Sequence, residues 1–266
     1  MNIGEDIPTG RRVRLTLTLP VHSPMTSPNA IHYIPIGTTA LSIAFLAVIV
    51  RRAIPKHWPP HMAWWGLGVV TYGLGTALES LIAIGGNSAL LTRLWFWAGA
   101  ILGGCPLATG TVYLLCRRTL AHWLTALAVV VIIAGSILVF LSPIRPEALE
   151  AHRPGRHAIL WMDWTSLKLL VIGINMYALI WFVGGAAYSS VYFFRKRTNR
   201  NRAIGTALIA VGGLLPAVGG TLAAKGVVEA LYIGEFLGLI LIWVGYEYCV
   251  RPSPPSPAGR SLPSAT

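Results

Sequence analysis

The sequence predicts an all-α fold: a polytopic bundle of seven transmembrane helices, N-terminus outside and C-terminus in the cytoplasm. Three observations carry this. Of 266 residues, 55% are hydrophobic and only 11% charged, with a mean hydropathy of +0.64, whereas a soluble domain carries about 25% charged residues. The apolar residues fall into seven runs of about 20 residues, long enough to cross a hydrocarbon layer of about 30 Å. The net charge of +12 gathers in short basic clusters between those runs, which topology explains better than nucleic-acid binding.

Residues 1–29 are polar, with Arg11, Arg12 and Arg14 and several prolines. They show no apolar stretch followed by a small-residue cleavage site, so no signal peptide is expected. The first run extends from about Ile31 to Val50 and stops at Arg51-Arg52. The second and third, about Met62 to Ala83 and Leu94 to Leu115, form a hairpin around the break Gly85-Gly86-Asn87-Ser88. The fourth, about Leu120 to Leu141, is almost wholly aliphatic and reads as a lipid-facing or packing helix.

A long connection with three prolines and mixed charge follows and is expected to be an exposed loop, with Trp161 and Trp164 in the interfacial belt. The fifth run, about Leu167 to Phe194, ends at the basic segment RKRTNRNR. The sixth spans about Ala203 to Ala223 and the seventh about Val227 to Val250. The Pro/Ser-rich tail, 251–266, cannot bury enough apolar surface to fold. The chain thus divides into an extracytoplasmic segment (1–29), a transmembrane domain (30–250) and a disordered cytoplasmic tail.

Lys and Arg in the short loops set the orientation. Arg51, Arg52, Lys56, Arg117, Arg118 and the 195–202 cluster share one side, which is assigned to the cytoplasm. Gly99 and Gly103 form a GxxxG face on the third helix, and Gly212, Pro216 and Gly220 a packing face on the sixth, with a kink expected at Pro216.

Intramembrane polar groups collect toward the outer half. Glu235 lies roughly 12 Å below the outer end of the seventh helix at about 1.5 Å per residue, with Asn175 at similar depth on the fifth. Glu79 and Arg93 flank the outer end of the hairpin and are each other's obvious partners. Tyr72, Thr76 and Glu79 share one stripe of the second helix, and Tyr232, Glu235, Leu239 and Tyr246 one stripe of the seventh. A carboxyl facing lipid is costly, so both stripes are expected to face inward. Glu79, Arg93, Glu235, Asn175, Tyr72 and Tyr232 are therefore the candidate ligand- or ion-binding residues. The plainer alternative is that Glu79 pairs with Arg93 and Glu235 bonds neighbouring hydroxyls only to fix packing. Glu229 and Glu247 lie near helix ends and read as interfacial.

Other chemistries lack their residues. Haem would need histidines inside the membrane, but His61, His122 and His32 lie near helix ends. Retinal would need a lysine deep in the last helix, and Lys225 precedes it. HExxH and CxxC are absent, and the only aspartates are Asp6 and Asp163. Glu147, Glu150, His152 and His157 in the long loop are a weak candidate metal set, as are His57, His61 and His122 at the basic face. No cofactor and no disulfide framework among the three cysteines is implied.

The segments WWGLGVVTYGLGTALES, WAGAILGGCPLATGTVYLL and YIGEFLGLILIWVGY resemble a group of bacterial seven-helix membrane proteins to which no reaction or catalytic residue is assigned. The resemblance implies the helix count and a bacterial inner-membrane setting, and nothing about chemistry. Receptor-like binding of a small ligand by an outward-facing polar pocket is the leading functional expectation, with a separate signalling partner to carry the output. A small-molecule or ion transporter, in one form proton-coupled, is the alternative, although no repeat of the first half in the second is visible. A structural or accessory subunit comes next. An enzyme is least expected, because no nucleophile and base stand together.

Overall fold

The computed structural model describes residues 30–251 apart from 164, 198 and 224. The polar segment 1–29, the tail from 252 onward and Trp164 lie outside the described residues. Among those described, the chain is helical with no strand, only an isolated antiparallel bridge between Ile144 and Ile159. Seven helices are long and apolar enough to cross a membrane: α1 (Ile31–Lys56), α2 (Pro60–Gly85), α3 (Ala89–Leu115), α4 (Arg118–Leu141), α5 (Thr165–Lys196), α6 (Arg200–Ala223) and α7 (Val228–Val250). Large aliphatic side chains such as Ile43, Leu81, Leu127, Val130, Ile180 and Val211 stand exposed around the bundle. A surface so apolar requires lipid around it, and the protein is a multi-pass integral membrane protein.

Two of the helices begin on a side-chain cap. Ser88 accepts a hydrogen bond from the Leu91 N–H at 3.2 Å, so α3 begins at Ala89, upstream of the first strongly apolar residue. Asn199 likewise accepts from the Arg202 N–H at 3.0 Å at the start of α6. Arg52 on α1 meets Glu247 on α7 at 2.8 Å, which fixes the ends of these two helices at the same face. That face also carries the basic clusters and is here the basic end. The opposite face, holding the α2–α3 turn and the long connection, is the loop end.

Two spans are interrupted by π-helix, at Trp97–Leu102 in α3 and Leu179–Gly184 in α5. In α3 the cause is local: Pro106 has no N–H and its ring would clash with the carbonyl four residues back. Gly103 absorbs the break at φ +37, where a side chain would be strained. Its N–H reaches back to the Ala98 carbonyl at 2.9 Å. The expected GxxxG packing face on α3 is therefore corrected: Gly103 serves the bulge, and a Cβ at Gly99 would meet nothing within 4 Å.

The tightest pairing is α6 against α7. A Cβ at Gly205, Gly212 or Gly219 would come within 2.5, 2.7 and 2.7 Å of backbone oxygens of α7, at Gly245, Gly238 and Ala230. These glycines recur every seven residues, two helical turns, and let the backbones touch. The packing face expected at Gly220 falls one residue earlier, at Gly219; Gly220 faces open space. The helix continues through Pro216, whose ring atoms occupy the space that a Cβ on Gly238 would need. By contrast α4 buries only Ala121, Gly135 and Val139 and presents aliphatic surface outward, as its composition predicts.

The long connection is only in part the exposed loop expected from its charge: Glu147, Glu150, His152, Arg156 and His157 are exposed, but apolar residues among them turn inward. Ala158 and Ile159 are fully buried, the latter in a core with Phe96, Ile101, Val139 and Leu167. The segment folds over the α2–α3 turn: the Asn87 N–H donates to the Ala151 carbonyl at 2.7 Å and its side-chain amide to the Arg153 carbonyl at 3.0 Å. It forms a cap on the loop end.

Candidate functional site

The inward stripes of α2 and α7 meet beneath this cap. Glu79 is 1% exposed and Tyr232 wholly buried. The carboxyl groups of Glu79 and Glu235 stand side by side. The indole N–H of Trp95, on α3, donates to Glu79 Oε1 at 2.9 Å, and the Tyr72 hydroxyl donates to the Glu235 main-chain carbonyl at 2.8 Å. Oε2 of each glutamate and the Tyr232 hydroxyl are buried without a hydrogen-bond partner of acceptable geometry. Among the described residues no Lys or Arg forms an ion pair with either acid.

The cluster is continuous with the cap. The Tyr232 hydroxyl lies within electrostatic reach of Glu79, Glu235, Glu229 and Arg153, and the His32 ring stands edge-on to Tyr232 at 6.2 Å. Glu229, at the start of α7, accepts from Arg153 at 2.6 Å and lies 4.0 Å from His32 Nε2. Polar side chains thus run from the surface of the cap to the buried acids.

No protein-family model and no curated protein matches the chain. Its chemistry is read from its own residues.

Four of the six candidates expected from the sequence come together: Glu79, Glu235, Tyr72 and Tyr232. Arg93 does not join them. Its guanidinium donates to the Ser142 carbonyl at the end of α4, at 2.8 Å, and no ion pair links it to Glu79. Asn175 is also elsewhere, on an exposed face of α5, where its amide donates to the Ala100 carbonyl at 3.1 Å. Ala100 sits in the π segment of α3, which loosens the regular bonding of its carbonyls, so Asn175 satisfies a group that lipid cannot. Among the described residues no three His, Cys, Asp or Glu side chains gather as a metal site.

Trp95 was missed, although hairpin arithmetic finds it. Glu79 and Trp95 each lie eight residues from Asn87, the middle of the turn, so the two arms of the hairpin bring them to one level; Arg93 mirrors Leu81 instead. A second feature had no sequence signal. A cavity of about 430 Å³ lies toward the basic end, bounded by every helix except α4.

Proposed function

We propose that the protein is a proton-coupled transporter of a small molecule. The observation that carries this reading is the Glu79–Glu235 pair: two carboxyls side by side inside the bundle, Glu79 buried and Glu235 half-buried, with no Lys or Arg among the described residues in an ion pair with either. Like charges so placed do not both stay ionised. The pair needs a compensating positive charge, and buried carboxyls in membrane helices are the groups that carry protons through pumps and transporters. A proton also fits the packing, since Tyr72, Trp95 and Tyr232 fill the space around the acids. That filling favours charge uptake over the receptor pocket as the role of these residues.

The layout supports coupling. The acid pair connects by polar side chains to the loop end, while the large cavity lies toward the basic end between the same helices α1, α2 and α7. The short-loop Lys and Arg assign the basic end to the cytoplasm, so the acids take protons from outside. Arg93 and Asn175 hold α3 against α4 and α5 in this reading.

Proteoliposomes containing the protein and an entrapped pH dye, exposed to a panel of small organic anions, cations and neutral compounds, test the proposal. At least one class should acidify the lumen with wild-type protein, and Glu235→Gln should abolish that signal. Uptake accompanied by no proton movement, or proton uptake preserved in both Glu79→Gln and Glu235→Gln, contradicts it. Compound-induced stabilisation without flux across the panel would instead establish a receptor.

A further inference from the structure

We infer that the cavity at the basic end is a binding site for an amphipathic organic anion, a flat apolar body carrying one carboxylate or phosphate. At about 430 Å³ it falls within the range of small-molecule pockets, about 300–1,000 Å³. Its walls are mainly aliphatic and aromatic, and no acidic side chain lines it. Its polar groups are unequal. The hydroxyls of Thr111, Ser189 and Thr206 donate to carbonyls of their own helices. The indole N–H of Trp65 and the hydroxyl of Tyr246 are buried and unpartnered. Arg52 stands over the Tyr246 ring at 5.2 Å but is a donor only, so it gives the Tyr246 O–H no acceptor.

Two buried donors on lining residues lack acceptors, a cost that a ligand acceptor would remove once the side chains turn to it. Arg202, an exposed residue among those that line the cavity, adds a cation, its guanidinium set over the Phe193 ring at 5.8 Å. Donors and a positive charge on an apolar wall select an anionic head, and the rings of Trp65, Phe182 and Tyr246 select an aromatic or otherwise flat body. Gly110 fixes the geometry, because any Cβ there would overlap the Trp65 ring. The site stands whether or not the distant acids carry a proton.

The test is calorimetric titration of the full chain, in phosphatidylcholine nanodiscs, with naphthalene-2-carboxylate, naphthalene-2-methanol and naphthalene-2-methylammonium. The carboxylate should bind at least about tenfold more tightly than the other two, as for hydrogen bonds to charged groups. Arg202→Gln should erase that preference, Trp65→Phe should weaken carboxylate binding several-fold, and Arg153→Gln at the other end should change nothing. Repeating the titration in phosphatidylglycerol nanodiscs separates the sources. Lost carboxylate binding there identifies an anionic lipid headgroup as the occupant and retained binding a free anion, each sustaining the site. Equal binding of the three compounds, or a preference that survives Arg202→Gln in protein with an unchanged thermal melt, overturns it.

Discussion

At the scale of single residues, the buried acids divide the labour around them into groups that neutralise and groups that position. Trp95 positions: its N–H donates to Glu79 Oε1 at 2.9 Å. Trp95→Phe should therefore cost about 1–3 kcal/mol, the price of leaving a buried acceptor unmet, read as a lower thermal midpoint in detergent. Glu79→Gln keeps an acceptor for Trp95 and replaces an ionisable group with a neutral one beside Glu235, so its midpoint should equal or exceed that of wild type while proton uptake fails. The Arg153–Glu229 contact is short but each side chain keeps about a third or a quarter of its surface exposed, 35% and 26%. Glu229→Gln should then shift stability by no more than about 1 kcal/mol. Periodicity made Glu79, Glu235, Tyr72 and Tyr232 legible, because helix phase fixes which side chains share a face. It could not pair Arg93 correctly, because a long guanidinium chooses among carbonyls and carboxylates that only tertiary structure brings near.

At the scale of helices, glycine spacing and the π segments matter more than hydropathy. The α6–α7 contact admits no Cβ at Gly212, while Gly220 one turn from Pro216 faces open space. Gly212→Val should abolish the folded monomer in size-exclusion profiles, and Gly220→Ala should be neutral or slightly stabilising, since alanine is the better helix former by about 1 kcal/mol. Asn175→Leu should cost about 1 kcal/mol by stranding the Ala100 carbonyl in α3. Span count and the aliphatic face of α4 were readable from composition. The fold of the long connection was not, because its buried residues are few and scattered among prolines and charges. Neither were the π segments, whose hydrogen-bond shift leaves the apolar pattern almost unchanged.

At the scale of the whole molecule, the bundle has two unlike ends: a capped one with paired acids and a basic one with a donor-lined cavity. The seven spans and the clustering of Lys and Arg at one end were evident from the sequence alone; the cavity was not, because it is assembled from six helices, each contributing only a few residues. If charge sets the topology, a fluorescent reporter fused after Arg251 should mature in the cytoplasm, and a periplasmic reporter at that position should stay inactive. The central claim is that Glu79 and Glu235 jointly hold a proton. Infrared difference spectroscopy of the protein in nanodiscs at neutral pH measures it directly, through the carbonyl stretch of a protonated carboxyl. The account predicts such a band in wild type, shielded from solvent exchange and lost or shifted in both Glu79→Gln and Glu235→Gln. A spectrum without it, or one indifferent to both substitutions, would contradict the account.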